Sequence, residues 1–117
     1  MNTHMLGKGA LDSISVETIE LLAYLYLQNN RSLKTIALLQ VVTDLQCATA
    51  RGQATLALAQ LRAGRAESAI QTLQQLKQLN SDFPIRHLIL AQALCVLNRK
   101  QEAEQAMQLY IKERKSN

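Results

Sequence analysis

A chain of 117 residues holds enough material for one hydrophobic core and not for two. Hydrophobic residues make up 48 % of it, yet only four are aromatic (Tyr24, Tyr26, Phe83 and Tyr110); with one proline, Pro84, and four glycines, Gly7, Gly9, Gly52 and Gly64, this Leu-, Ala- and Gln-rich chain is a helix former without an alternating β-branched run for a strand pair. The formal charge of +4 is interspersed with acidic residues except at Lys112, Arg114 and Lys115 around Glu113, a cluster suited to a solvated helix C-terminus; no aromatic residues interleave with the cations, which excludes a stacking platform for bases.

Residues 1–12 lack the continuous apolar core of a signal peptide, and nothing in the chain approaches a membrane span. Residues 1–15 are therefore expected to be a mobile N-terminal segment of a soluble, intracellular protein, followed by one helical domain over 16–117. From residue 16 onward the chain aligns without gaps in rows of 34: Leu22-Ala23, Leu56-Ala57 and Leu90-Ala91 fall in register, as do Asn30, Gly64 and Asn98, and Leu39, Leu73 and Met107. Self-similarity at this period marks an array of helical hairpins.

The elements follow in chain order. Helices are expected near 16–28, 32–45, 49–62, 66–79, 84–97 and 100–115, in repeats of about 16–48, 49–82 and 83–115. The first helix of each repeat should stop at Asn30, Gly64 or Asn98, residues that tolerate a left-handed backbone. Ala57, Ala69, Ala91 and Ala103 let paired helices approach closely, with Thr35 as the small counterpart in the first row. Pro84 suits the first turn of the fifth helix, and Asp82 is a plausible cap before it.

Little in this pattern carries covalent chemistry. Cys47 and Cys95 lack the spacing of a metal site and have no paired His ligands, and His4 and His87 stand alone, so neither metal nor cofactor is expected. There is no nucleophile–base pairing and no Gly-rich phosphate loop; Asp12, Ser13, Ser15 and His4 lie in the N-terminal segment without a rigid frame. An enzyme is not expected.

The period, the Leu-Ala pair, the Gly/Asn turn and the small residue of the second helix together resemble the tetratricopeptide repeat over roughly residues 16–115. The chain departs from that family at its usual Trp, replaced by Ile19, Gln53 and His87, and lacks the closing Pro. The resemblance implies an all-α fold, a right-handed array of three antiparallel helix pairs, whose first helices line a concave face. Carried over by position, the lining residues are Glu17, Glu20, Tyr24, Leu27 and Gln28, then Arg51, Ala54, Leu58, Leu61 and Arg62, then Ile85, Leu88, Gln92, Cys95 and Val96. Tyr24, Leu27, Ala54, Leu58, Leu61, Ile85, Leu88 and Cys95 form its apolar centre, a groove expected to bind protein. Family members that clamp the C-terminal carboxylate of heat-shock chaperones use Lys and Asn there; Glu20, Tyr24, Leu58, Leu88 and Gln92 do not reproduce that clamp.

In size and repeat number, "ARGQATLALAQLRAGRAESA" and "HLILAQALCVLNRKQEAEQA" resemble the small tetratricopeptide chaperones of bacterial type III secretion. Two kinds are similar: the YscG-like chaperone of the needle subunit and the YscY-like chaperone of a small secreted export-apparatus protein. The resemblance implies a cytoplasmic protein that holds a small amphipathic helical secreted subunit in its groove and prevents premature polymerisation. It also implies a second small helical co-chaperone as a further partner. Three repeats bury few interfaces and have no added capping helix, so self-association is expected when the chain is unpartnered. A generic adaptor built on the same repeats remains the alternative.

Overall fold

The structure is a computed structural model that describes residues 15–79 and 84–116. Six helices occur among them: α1 (Val16–Gln28), α2 (Ser32–Asp44), α3 (Ala50–Arg62), α4 (Ala66–Leu79), α5 (Ile85–Val96) and α6 (Lys100–Ser116), with no strand among the described residues. The expected helices are each met to within one residue at either end. Residues 1–14, expected to be mobile, and Asp82, the expected cap of α5, lie outside the described residues.

The helices start and stop for local reasons. Ser15 caps α1, its hydroxyl accepting from the Thr18 N–H at 3.1 Å, and Thr49 caps α3 by accepting from the Gly52 N–H at 3.0 Å. Pro84 directly precedes α5 with helical dihedrals (φ −59°, ψ −32°), a place where its missing N–H leaves no bond unmade. The first helix of every repeat ends in the same left-handed turn. Asn30, Gly64 and Asn98 have φ of 62°, 81° and 62°. The next residue, Arg31, Arg65 or Arg99, reaches back with its N–H to Tyr26, Gln60 or Leu94 at 2.8–2.9 Å. Those paired bonds satisfy the last carbonyls of each helix. Helix α2 ends likewise at Gln46 (φ 58°), with Cys47 N–H bonded to Val42 at 3.0 Å, a turn that its Gln does not advertise.

The two helices of each repeat pack on one another, the second helix of a repeat packs on the first helix of the next, and the first helices touch in succession, α1 on α3 and α3 on α5. This is an all-α, tetratricopeptide-like array of three antiparallel pairs, extended to 53 × 29 × 21 Å rather than closed on itself. Its core follows the repeat. Ala23, Leu27, Ile36, Leu39, Leu56 and Ala59 fill the first junction, and Ala54, Ala57, Ala69, Leu73, Leu76 and Ile89 the second. Ala91, Leu94, Ala103 and Ala106 form a smaller cluster within the last pair. The four expected close-approach alanines, 57, 69, 91 and 103, are all buried. Thr35 does the same work with an added bond, its hydroxyl donating to the Ala23 carbonyl at 2.9 Å across the first pair.

Two of the three positions where the repeat usually carries Trp hold polar residues with partners, and the first holds half-buried Ile19. Gln53 is buried and donates to the Thr43 hydroxyl at 2.7 Å. Buried His87 lies 3.1 Å from a Glu113 carboxylate oxygen and 3.2 Å from the Arg86 guanidinium, tying the start of α5 to the end of α6. An interhelical polar contact replaces the area a ring would bury.

Candidate functional site

Stripes one residue row wide on α1 and α3 face a common hollow. On α1 the stripe runs Glu17, Leu21, Tyr24, Gln28; on α3 it runs Arg51, Thr55, Leu58, Arg62, the same register 34 residues on. Spacings of four, three and four keep each set on one helix face. Two adjoining pockets result. One of about 450 Å3 is lined by Glu17, Glu20, Leu21, Tyr24, Arg51 and Thr55. The other, of about 480 Å3, is lined by Tyr24, Leu27, Gln28, Asn30, Leu58 and Arg62. They share Tyr24, whose hydroxyl accepts from the Gln28 side-chain amide at 3.0 Å, so the groove is continuous along both helices.

Seven of the eight residues expected at the apolar centre are distributed among three environments, and Leu88 belongs to none of them. Tyr24, Leu27 and Leu58 line the groove together, although Leu27 is only 2 % exposed and spends its surface in the first core cluster. Ala54 is buried in the second cluster, and Leu61 and Ile85, both half-buried, pack against it. Leu88 is half-buried on α5. Cys95 is exposed in a separate hollow of about 540 Å3 between α5 and α6, with Ala91, Gln92, Lys100, Ala103, Glu104 and Met107. The reason is positional. Leu27, Leu61 and Cys95 share one register position, but a following repeat covers the first two and none among the described residues covers the third.

Leu21 and Thr55 are groove residues that the carried-over positions leave out. Leu21 is 59 % exposed and Tyr24 46 %, a pair of large apolar side chains one helical turn apart. The signal for Leu21 is its place three residues before Tyr24 on a helix that already supplies Ala23 and Leu27 to the core.

Glu20 has a second task. Its carboxylate accepts from the Thr49 hydroxyl at 2.7 and 2.9 Å, and from the Thr49 N–H at 3.4 Å, which places a negative charge against the N-terminus of α3. Gly52 makes room for it: a Cβ at that position would run into the Glu20 carboxylate, 2.8 Å from its carbon. The end of the groove is thus anchored by a bond between repeats.

Among the described residues no three His, Cys, Asp or Glu side chains are grouped to hold a metal, and no helix is long and apolar enough to cross a membrane. Comparison with known proteins found no matching family model and no match among characterised proteins. The functional reading therefore stands on the groove.

Proposed function

We propose that the chain is a bacterial type III secretion chaperone of the tetratricopeptide kind, cytoplasmic, which holds a small amphipathic helix of a secreted, needle-type subunit in the α1–α3 groove. The observation that supports it is the pairing of exposed Leu21 and Tyr24 with Leu58 along a hollow open over the length of two helices. Apolar area of that kind favours an occupant that brings an apolar stripe of its own. Each Å2 of apolar surface covered there contributes about 25 cal/mol, part of it offset by association and ordering. A subunit that polymerises through the same stripe is kept monomeric while the stripe is covered.

The test is co-expression with the product of a small neighbouring reading frame that encodes an amphipathic helix. A complex that survives gel filtration for the wild type and for Gln74→Glu, on exposed α4 surface, but not for Leu21→Glu, supports the reading. A complex indifferent to Leu21→Glu removes the groove from it.

A further inference from the structure

The groove is electrically lopsided. At its end near the start of α1 and α3 the lining carries two carboxylates, Glu17 and Glu20, against one guanidinium, Arg51. Its other end opens into a pocket of about 510 Å3 that shares Asn30 and Arg62 with it and adds Arg31 and Lys34; no carboxylate lines that end. All three cations are exposed, and none has a carboxylate partner among the described residues. Arg62 donates to the Leu27 carbonyl at 3.4 Å, and Lys34 lies 5.4 Å from the Tyr26 ring centre.

Comparison between repeats makes the excess specific. Arg31, Arg65 and Arg99 occupy one register position, directly after the left-handed turn. In the third repeat Arg99 is neutralised by Glu102, with bonds of 2.7 and 2.8 Å. The position of Glu102 is held by Lys34 in the first repeat, and α2 has no acidic residue in its first turn where α4 has Glu67. The first repeat thus adds a cation where the third supplies the countercharge.

Resting on the helix-in-groove reading, we propose that the occupant is an amphipathic helix with acidic residues grouped at one end, and that this end seats against Arg31, Lys34 and Arg62. The apolar stripe of the groove holds the helix and the cations set which of its ends lies at the turn of the first repeat. Charge complementarity of this type gives orientation and encounter rate more than bulk affinity, and it weakens with salt.

The experiment uses the full chain and three designed helical peptides of about 18 residues, long enough to span the roughly 20 Å of α1. They share one apolar face and differ at one end, which is acidic, neutral or basic. Fluorescence anisotropy at low salt should rank them acidic, neutral, basic, with at least tenfold between the extremes and a smaller gap at 0.5 M salt, where the screening length is ~4 Å. The doubly substituted Arg31→Glu/Lys34→Glu chain, checked for helicity, should invert the ranking, since both side chains are exposed. Equal binding of the acidic and basic peptides, or a ranking unchanged in the reversed chain, overturns the charge proposal and leaves the groove reading standing. Failure of all three peptides to bind overturns both. A random single-stranded oligonucleotide binding as tightly as the acidic peptide overturns the proposal in favour of a nucleic-acid surface.

Discussion

At residue 64 the chain turns through φ 81° with open space around the missing side chain, since a Cβ there would meet nothing within 4 Å. The penalty for substitution is therefore backbone strain alone, about 1–2 kcal/mol for a β-branched residue. Gly64→Val should lower urea stability by at least ~1 kcal/mol, whereas Gly64→Asn, which copies Asn30 and Asn98, should stay within ~0.5 kcal/mol. Equal stability of the two variants would count against the left-handed turn. Residue 52 behaves in the opposite manner, its space being taken by Glu20. Gly52→Ala gains helix propensity of up to ~1 kcal/mol but displaces a carboxylate from the N-terminus of α3. It should stabilise the Glu20→Ala chain more than the wild type; an equal change in both backgrounds, in a double-mutant cycle, would deny the contact. The first of these features was legible from the 34-residue register, because Asn, Gly and Asn recur where a helix must stop. The second was not, because Glu20 and Thr49 are 29 positions apart and neither residue type announces an inter-repeat bond.

At the scale of the element, helix limits were legible and helix faces only in part. Register identifies the side of a helix that points into the array, but not whether another helix covers it; Leu27 and Cys95 are equivalent in sequence and opposite in burial. The same difference separates two ways of testing the groove. Leu58 lies on its floor and also packs against both the first and second core clusters. Leu58→Glu should therefore cost on the order of 2 kcal/mol in stability as well as binding, because it draws a carboxylate toward the core. Leu21→Glu, with most of its side chain in solvent, should change stability by less than ~0.5 kcal/mol yet weaken an amphipathic helix at least about a hundredfold, as expected for a charge buried against an apolar ligand. Thermal melts beside anisotropy titrations separate the two effects. Loss of fold in Leu21→Glu would place that side chain in the core.

At the scale of the whole array, the faces exposed at its ends among the described residues matter most. Leu22 and Leu56 share a register position, but Leu56 is 1 % exposed beneath the preceding repeat and Leu22 is 44 % exposed, with Leu25 beside it. Arrays of this kind need their terminal faces covered. The free chain should therefore self-associate in sedimentation runs at tens of micromolar or above (about the range of a weak apolar contact), and Leu22→Lys/Leu25→Lys should shift it to monomer without loss of helicity. A wild-type chain that sediments as a monomer throughout would show that its end face is tolerated by solvent. Both ends lie apart from the hollow between α1 and α3, where a helix would bind.

Thiol protection reports directly on whether a helix occupies that hollow. Cys95 is exposed in the α5–α6 hollow and serves as an internal reference, while Gln28→Cys, made in a Cys47→Ala background to remove the half-buried third thiol, places a thiol in the α1–α3 groove on an exposed, polar position. With the acid-ended amphipathic peptide at saturation, alkylation of the residue 28 thiol should slow at least tenfold while Cys95 reacts at its free rate. Protection of Cys95 with residue 28 still reactive would place the helix in the other hollow and remove the α1–α3 groove as its binding site.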